Sequence, residues 1–151
     1  MLGKSPSQQQ TDLFKALLAN LLNPKNPLYL LAHRIPWKKL EEEFAPLYGT
    51  VGSPSHPIRK MAALLMIKHV YNLSDERVVA MWQENPYYQY FAGEATFQWG
   101  QPCAASDLVH FRNRLGEKGI EKLFALSVDL HRDKVRKAKD VIVDTLSLIH
   151  I

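Results

Sequence analysis

Apolar positions in the first part of the chain return at the helical period. Leu13, Phe14, Leu17, Leu18, Leu21 and Leu22 share one face, with Ser7 as the candidate N-cap and Asn23-Pro24 as the stop. Pro27 and Pro36 each stand where a first helical turn would begin. The second opens a stripe of Trp37, Leu40 and Phe44, with Lys38, Lys39, Glu41 and Glu42 largely outside it. Pro46 and the stretch GTVGSPSHP, residues 49–57, break the pattern and mark an internal hinge.

Beyond the hinge the pattern strengthens. Pro57 starts a segment containing Ile58, Met61, Ala62, Leu64, Leu65, Met66, Ile67 and Val70, and its middle is apolar all round. That predicts the central helix of a bundle. Ser74 is placed to cap the next helix, where Asp75 and Glu76 complement the positive end of the dipole and Asn85-Pro86 is the stop. The aromatic cluster Tyr87, Tyr88, Tyr90 and Phe91 follows, then a loop or short hairpin over 95–104. Ser106 is the candidate cap of a short helix from Asp107 to Leu115, which Gly116 would end in a left-handed conformation. A longer helix is expected from about Gly119 to Arg136, with Ile120, Leu123, Phe124 and Leu130 inward. The period then changes: Val141, Ile142 and Val143 are β-branched and read as a strand ending at Asp144.

Composition narrows the class. The chain has 151 residues, 46% of them hydrophobic and 23% charged, enough for a buried core and incompatible with wholesale disorder. No apolar run approaches the roughly 18–20 residues of a membrane span, and the polar start MLGKSPSQQQ is no secretory signal. A single cysteine, Cys103, excludes an internal disulfide framework and suits the cytoplasm, the expected location. The formal charge of +4 permits a nucleic-acid partner without establishing one.

The segment SDLVHFRNRL carries the most chemistry. On a helix, Leu108, Phe111 and Leu115 share the apolar face, while His110, Asn113 and Arg114 project outward with side chains suited to base edges or phosphates. Arg112 lies close to the apolar stripe and is better placed to pair with an internal acid. With the helix from Ser74 to Glu84 this makes a helix-turn-helix-like unit, although the intervening loop is far longer than the usual turn. The competing reading is an ordinary solvated helix face. The basic run Arg132, Lys134, Arg136, Lys137 and Lys139 is either a stripe of phosphate contacts or a complement to a helix C-terminus. Asp144, leaving a short buried strand, is a candidate ligand for a hard metal ion or else a turn former. The six histidines lack zinc-site spacing, and Cys103 with His110 has no spacing that marks nucleophilic catalysis.

Taken together, LGKSPSQQQTDLF, EFAPLYG, PIRKMAALLMIKHVYNLSDE, NPYYQYFAGE and SDLVHFRNRLGEKGIEKLF resemble the N-terminal region of insertion-sequence transposases of the IS-five type. The resemblance covers the chain to about Thr145. It implies a helical DNA-binding region followed by a ribonuclease H-like domain with an Asp-Asp-Glu metal triad. Val143-Asp144-Thr145 matches the family's first catalytic strand, which makes Asp144 the expected first catalytic carboxylate and metal ligand. The next six residues, Leu146 to Ile151, depart from the family. They are what CTG TCT CTT ATA CAC ATC encodes, which resembles an adapter of transposon-based sequencing libraries, and they are read as a non-native tail.

The resemblance therefore implies a mainly α fold: a helical bundle with a helix-turn-helix-like DNA-binding unit, then the first strand of a truncated ribonuclease H-like domain. Residues 1–56 form an N-terminal helical segment, 57–136 the DNA-binding domain, 137–145 the start of the catalytic domain and 146–151 the tail. The expected partners are double-stranded DNA at insertion-sequence ends and a homo-oligomer, with no membrane. Mg²⁺ or Mn²⁺ would serve the full-length parent in DNA cleavage and strand transfer, while the fragment would be inactive and hold no tight metal. The alternatives are a stand-alone DNA-binding regulator and a protein–protein module for transposase assembly.

Overall fold

The computed structural model of the chain describes residues 3, 16–49 and 55–125. Within them it is helical: α1 (Leu18–Leu21), α2 (Pro27–Arg34), α3 (Trp37–Phe44) with a 3₁₀ turn at Ala45–Leu47, α4 (Ile58–Tyr71), α5 (Asp75–Glu84), α6 (Pro86–Phe91) and α7 over 105–125. The only β pairing among the described residues is the isolated bridge between Leu17 and Thr96. The first half of the N-terminal helix, the basic run from Arg132 to Lys139, the strand Val141–Val143, Asp144 and the tail lie outside the described residues.

Helix starts follow side-chain caps. The Asn26 carboxamide accepts from the backbone N–H groups of Leu28 and Tyr29, and Pro27, which has no N–H to leave unsatisfied, takes the first helical position. Ser74 Oγ accepts from Arg77 N at 3.1 Å, and Asn85 Oδ1 from Tyr87 N at 2.9 Å. Helix ends are equally specific. Asn72 takes a left-handed φ of 54° while Leu73 N–H donates back to the Lys68 carbonyl. Gly93, at φ 97°, closes α6 by the same device, with Glu94 N–H on the Gln89 carbonyl and Gly93 N–H on that of Tyr90.

The central position of α4 follows from its sequence: every residue from Met61 to Ile67 is buried, and the helix packs on α3, α5 and α6. Helix α2 packs on α6. There the rings of Tyr29 and Tyr90 stack 4.7 Å apart, and the Tyr90 hydroxyl hydrogen-bonds His33 Nε2 at 2.8 Å. Burial, then the neighbouring Tyr29, push the Tyr90 pKa up to about 12.

Three expectations need correction. The aromatic run Tyr87–Phe91 is most of α6, because Asn85 ends α5 and caps the next helix at once. A full helix therefore stands between α5 and α7, where a helix-turn-helix has only a turn. Residues 95–104 form a loop, one of the two forms expected there. At the start of α7 the cap is not Ser106: Asp107 Oδ2 accepts from Ala104 N at 2.9 Å, the backward-reaching half of a capping box. Gly116 is left-handed as expected, at φ 71°, yet the residues on both sides of it are helical.

Candidate nucleic-acid interface

Helix α7 is held by one stripe. Leu108, Phe111, Leu115 and Leu123 are buried in the same core as α3 to α6, which at about 25 cal/mol per Å² of apolar surface locks its rotation. The outward positions follow from that lock. His110, Asn113 and Arg114 are all exposed, as is the apolar Val109 beside them. The structure thus brings three of the sequence-selected residues onto one open helix face. Arg132, Lys134, Arg136, Lys137, Lys139 and Asp144 fall outside the described residues.

Arg112 behaves differently from its neighbours. Its two terminal nitrogens reach the two oxygens of Asp75 at 2.8 and 2.9 Å, a fork-to-fork pair that ties α7 to the first turn of α5. Lys68 stands 3.9 Å from the same carboxylate. The Arg112 hydrogen bonds hold the Asp75 pKa below its ordinary 3.8, against partial burial, and the same bonds raise that of Arg112. The sign is fixed by that depression: the pair's contribution is complete above pH ~4 and is lost as pH falls through the folded-state value. Thermal melts between pH 7 and pH 2 are expected to lose stability in acid more steeply in the native chain than in Asp75→Asn, and parallel curves would refute the assignment.

Beside the exposed face lies a cavity of about 330 Å³, lined by Tyr48, His56, Met61, Asp107, His110 and Arg114 among others. The Arg114 guanidinium sits 4.3 Å from the centre of the Tyr48 ring, a cation–π contact that aims the cation while leaving it exposed. Burial raises the Tyr48 pKa, and Arg114 opposes that rise. His56 Nε2 lies 3.3 Å from Asp107 Oδ2, so the oxygen that caps α7 also positions an imidazole at the mouth of α4. The arrangement offers three forms of recognition: an amide for base edges, a fixed guanidinium for phosphate, and two imidazoles. Tyr48 and His56 were not apparent in the sequence, since Tyr48 stands just before the 49–57 break and His56 within it, and they meet α7 only in the fold.

Cys103 is buried, and its thiol is pushed up to about 11 chiefly by burial, which disfavours the thiolate at neutral pH. Among the described residues no three His, Cys, Asp or Glu side chains cluster as metal ligands, and no helix is long and apolar enough to cross a membrane.

A mainly helical domain with an open, polar face on one helix is the class these features define. Residues 16–114 match the family model described as a transposase domain, DUF772, and the chain belongs to that family. It is 43% identical, over 124 residues, to an uncharacterized protein, ORF8 in the nfe locus of Rhizobium meliloti. That match takes in 82% of this chain and 60% of the relative, so the chain spans about three fifths of the relative's length. No solved structure matches it. The family match ends at Arg114, so it includes all three residues of the exposed face.

Proposed function

We propose that this chain is the DNA-engaging N-terminal part of an insertion-sequence transposase of the IS-five type, acting in the cytoplasm, with α7 laid on duplex DNA at the element's ends. One observation carries the reading. Two arginines two positions apart are put to opposite uses, Arg112 withdrawn into a paired carboxylate and Arg114 held outward beside Asn113 and His110. A helix needing only solubility has no reason to orient an exposed guanidinium over a tyrosine ring. In this reading α5 and α7 do the work of a helix-turn-helix with α6 inserted between them, and the basic run from Arg132 to Lys139 adds contacts to phosphates.

Asp144 is proposed as the first carboxylate of the family's Asp-Asp-Glu set, which together would hold Mg²⁺ or Mn²⁺. Such ions, when bound, polarise the scissile phosphate and activate the attacking oxygen. One aspartate cannot hold a two-metal clamp. The purified chain is therefore expected to bind DNA without cleaving it, and Mg²⁺-dependent nicking of a supercoiled plasmid by the pure chain would contradict this.

The direct test is fluorescence anisotropy with duplexes carrying the element's terminal repeats and with scrambled controls. The native chain is expected to prefer the terminal repeats, and equal, weak affinity for both would end the proposal. Lys137→Gln with Lys139→Gln is expected to lower affinity for both duplexes alike and to reduce the salt slope by about two. A second reading, an assembly module between transposase subunits, draws on the exposed apolar residues Leu21, 64% accessible, and Trp99, 88% accessible. Concentration-dependent self-association that Trp99→Ser abolishes would favour it.

A further inference from the structure

We propose that the groove walled by Trp37, Lys38, Arg59 and Gly93 is a second seat for a backbone phosphate of bound DNA, separate from the exposed face of α7. The proposal rests on the DNA-binding reading above and names a further point of contact. Two cavities, of about 290 and 470 Å³, share those four residues in their walls. The Arg59 guanidinium stands 4.7 Å from the centre of the Trp37 ring. Space for it depends on Gly93: a Cβ there would come within 3.0 Å of Arg59 Cδ and 3.1 Å of its Nε, at a φ of 97° that other residues rarely adopt.

This cation is placed without an ion pair, although Glu41 stands in the wall of the smaller cavity. Its Nε is inaccessible and has no hydrogen-bond partner, and among the described residues no carboxylate forms an ion pair with it. The nearby buried Glu94 is already taken by Lys60 at 3.0 Å. Burial lowers the Arg59 pKa, with Glu41 and Tyr90 only partly opposing it. A planar guanidinium not directly paired with a protein acid keeps its fork of donors open to a tetrahedral oxyanion. The exposed Lys38 on the same wall supplies a second positive charge. Ile35 and Tyr90 give the larger cavity an apolar side, against which a deoxyribose can rest. A nucleotide backbone, alternately anionic and apolar, has that profile.

The experiment uses the full chain and a fluorescein-labelled duplex across a salt series. Arg59→Gln is expected to weaken binding about 10-fold, about 1.4 kcal/mol, and to lower the salt slope by about one. Lys38→Gln, an exposed change that leaves the core alone, is expected to weaken binding about 3-fold, and Arg59→Lys to keep the slope while losing affinity. Near-UV circular dichroism checks each fold; should Arg59→Gln unfold, Lys38→Gln and Arg59→Lys decide. Unchanged affinity and slope in the folded variants would overturn the proposal. In a second arm, pyrophosphate is titrated against tryptophan emission in a Trp99→Phe background, which leaves Trp37 in the groove wall and the buried Trp82. A saturable change there, with DNA binding untouched by the variants, would assign the groove to free phosphate and overturn the DNA assignment. Loss of binding in Asn113→Ala and Arg114→Ala but not in the groove variants would overturn this inference alone. The converse pattern would support it and instead sink the reading of α7.

Discussion

Gln89→Leu is expected to destabilise the fold by about 3–5 kcal/mol, a large share of the ~5–15 kcal/mol that holds a domain together. Gln89 is fully buried, and its carboxamide is saturated by backbone. Its Nε2 donates to the Trp82 carbonyl at 3.0 Å and to the Gln98 carbonyl at 2.9 Å, while Oε1 accepts from Gln98 N–H at 2.7 Å. One side chain thus completes the end of α5 and pins the loop over 95–104 with a strand-like pair of bonds. Leucine fills nearly the same volume, so the cavity contribution is small. The loss comes from three backbone groups left without partners, the buried Trp82 carbonyl and the part-buried N–H and carbonyl of Gln98, each costing ~1–3 kcal/mol with some relaxation. Urea denaturation followed by tryptophan emission measures it, and a change below about 1 kcal/mol would mean that water or loop rearrangement replaces the amide. Gln89→Glu keeps an acceptor and loses both donated bonds while deprotonated. Burial would raise its folded-state pKa above ~4.3, so its damage is expected to grow as pH rises above that value.

The Gln89 hub marks the limit of what the sequence made legible. Features set by neighbours along the chain were readable: the cap at Ser74, the left-handed conformation of Gly116 though not the helix end expected there, the stops at Asn23-Pro24 and Asn85-Pro86, and the burial of α4 on all sides. The inward turn of Arg112 was readable too, because its place beside Leu108, Phe111 and Leu115 on a helical wheel is a local fact. Helix α6 was not. Its run of aromatics has strand propensity, and it is helical because Asn85 caps it and Tyr88, Gln89 and Phe91 are buried against α2, α4 and α5. Nor could the sequence bring His56 to Asp107, or Arg59 beneath Gly93, since each pairing is closed by elements distant in the chain. The outward residues of α7 were legible as a face. Their neighbours Tyr48 and His56, which turn that face into a site, belong to the long-range part of the fold.

Exchanging the fates of Arg112 and Arg114 separates stability from recognition on one helix. Arg112→Ala is expected to cost about 2–3 kcal/mol, because it leaves the Asp75 carboxylate, only 17% accessible, without its bidentate partner. For a domain of this size that lowers the melting temperature by roughly 5–10 °C. Lys68, at 3.9 Å, offers Asp75 partial compensation and keeps the loss at the lower end for a pair of this burial. Below the temperature of unfolding, DNA affinity should fall little, since Arg112 does not stand on the open face. Arg114→Ala is expected to do the reverse. It removes an exposed side chain and one cation–π contact, worth ~0.5–1 kcal/mol, but weakens duplex binding by about 10-fold or more if the guanidinium pairs with a base or phosphate. Melting curves and anisotropy titrations on the same two proteins decide the matter. If Arg112→Ala loses binding while staying as stable as the native chain, the inward and outward faces of α7 have been exchanged and the proposed interface is wrong.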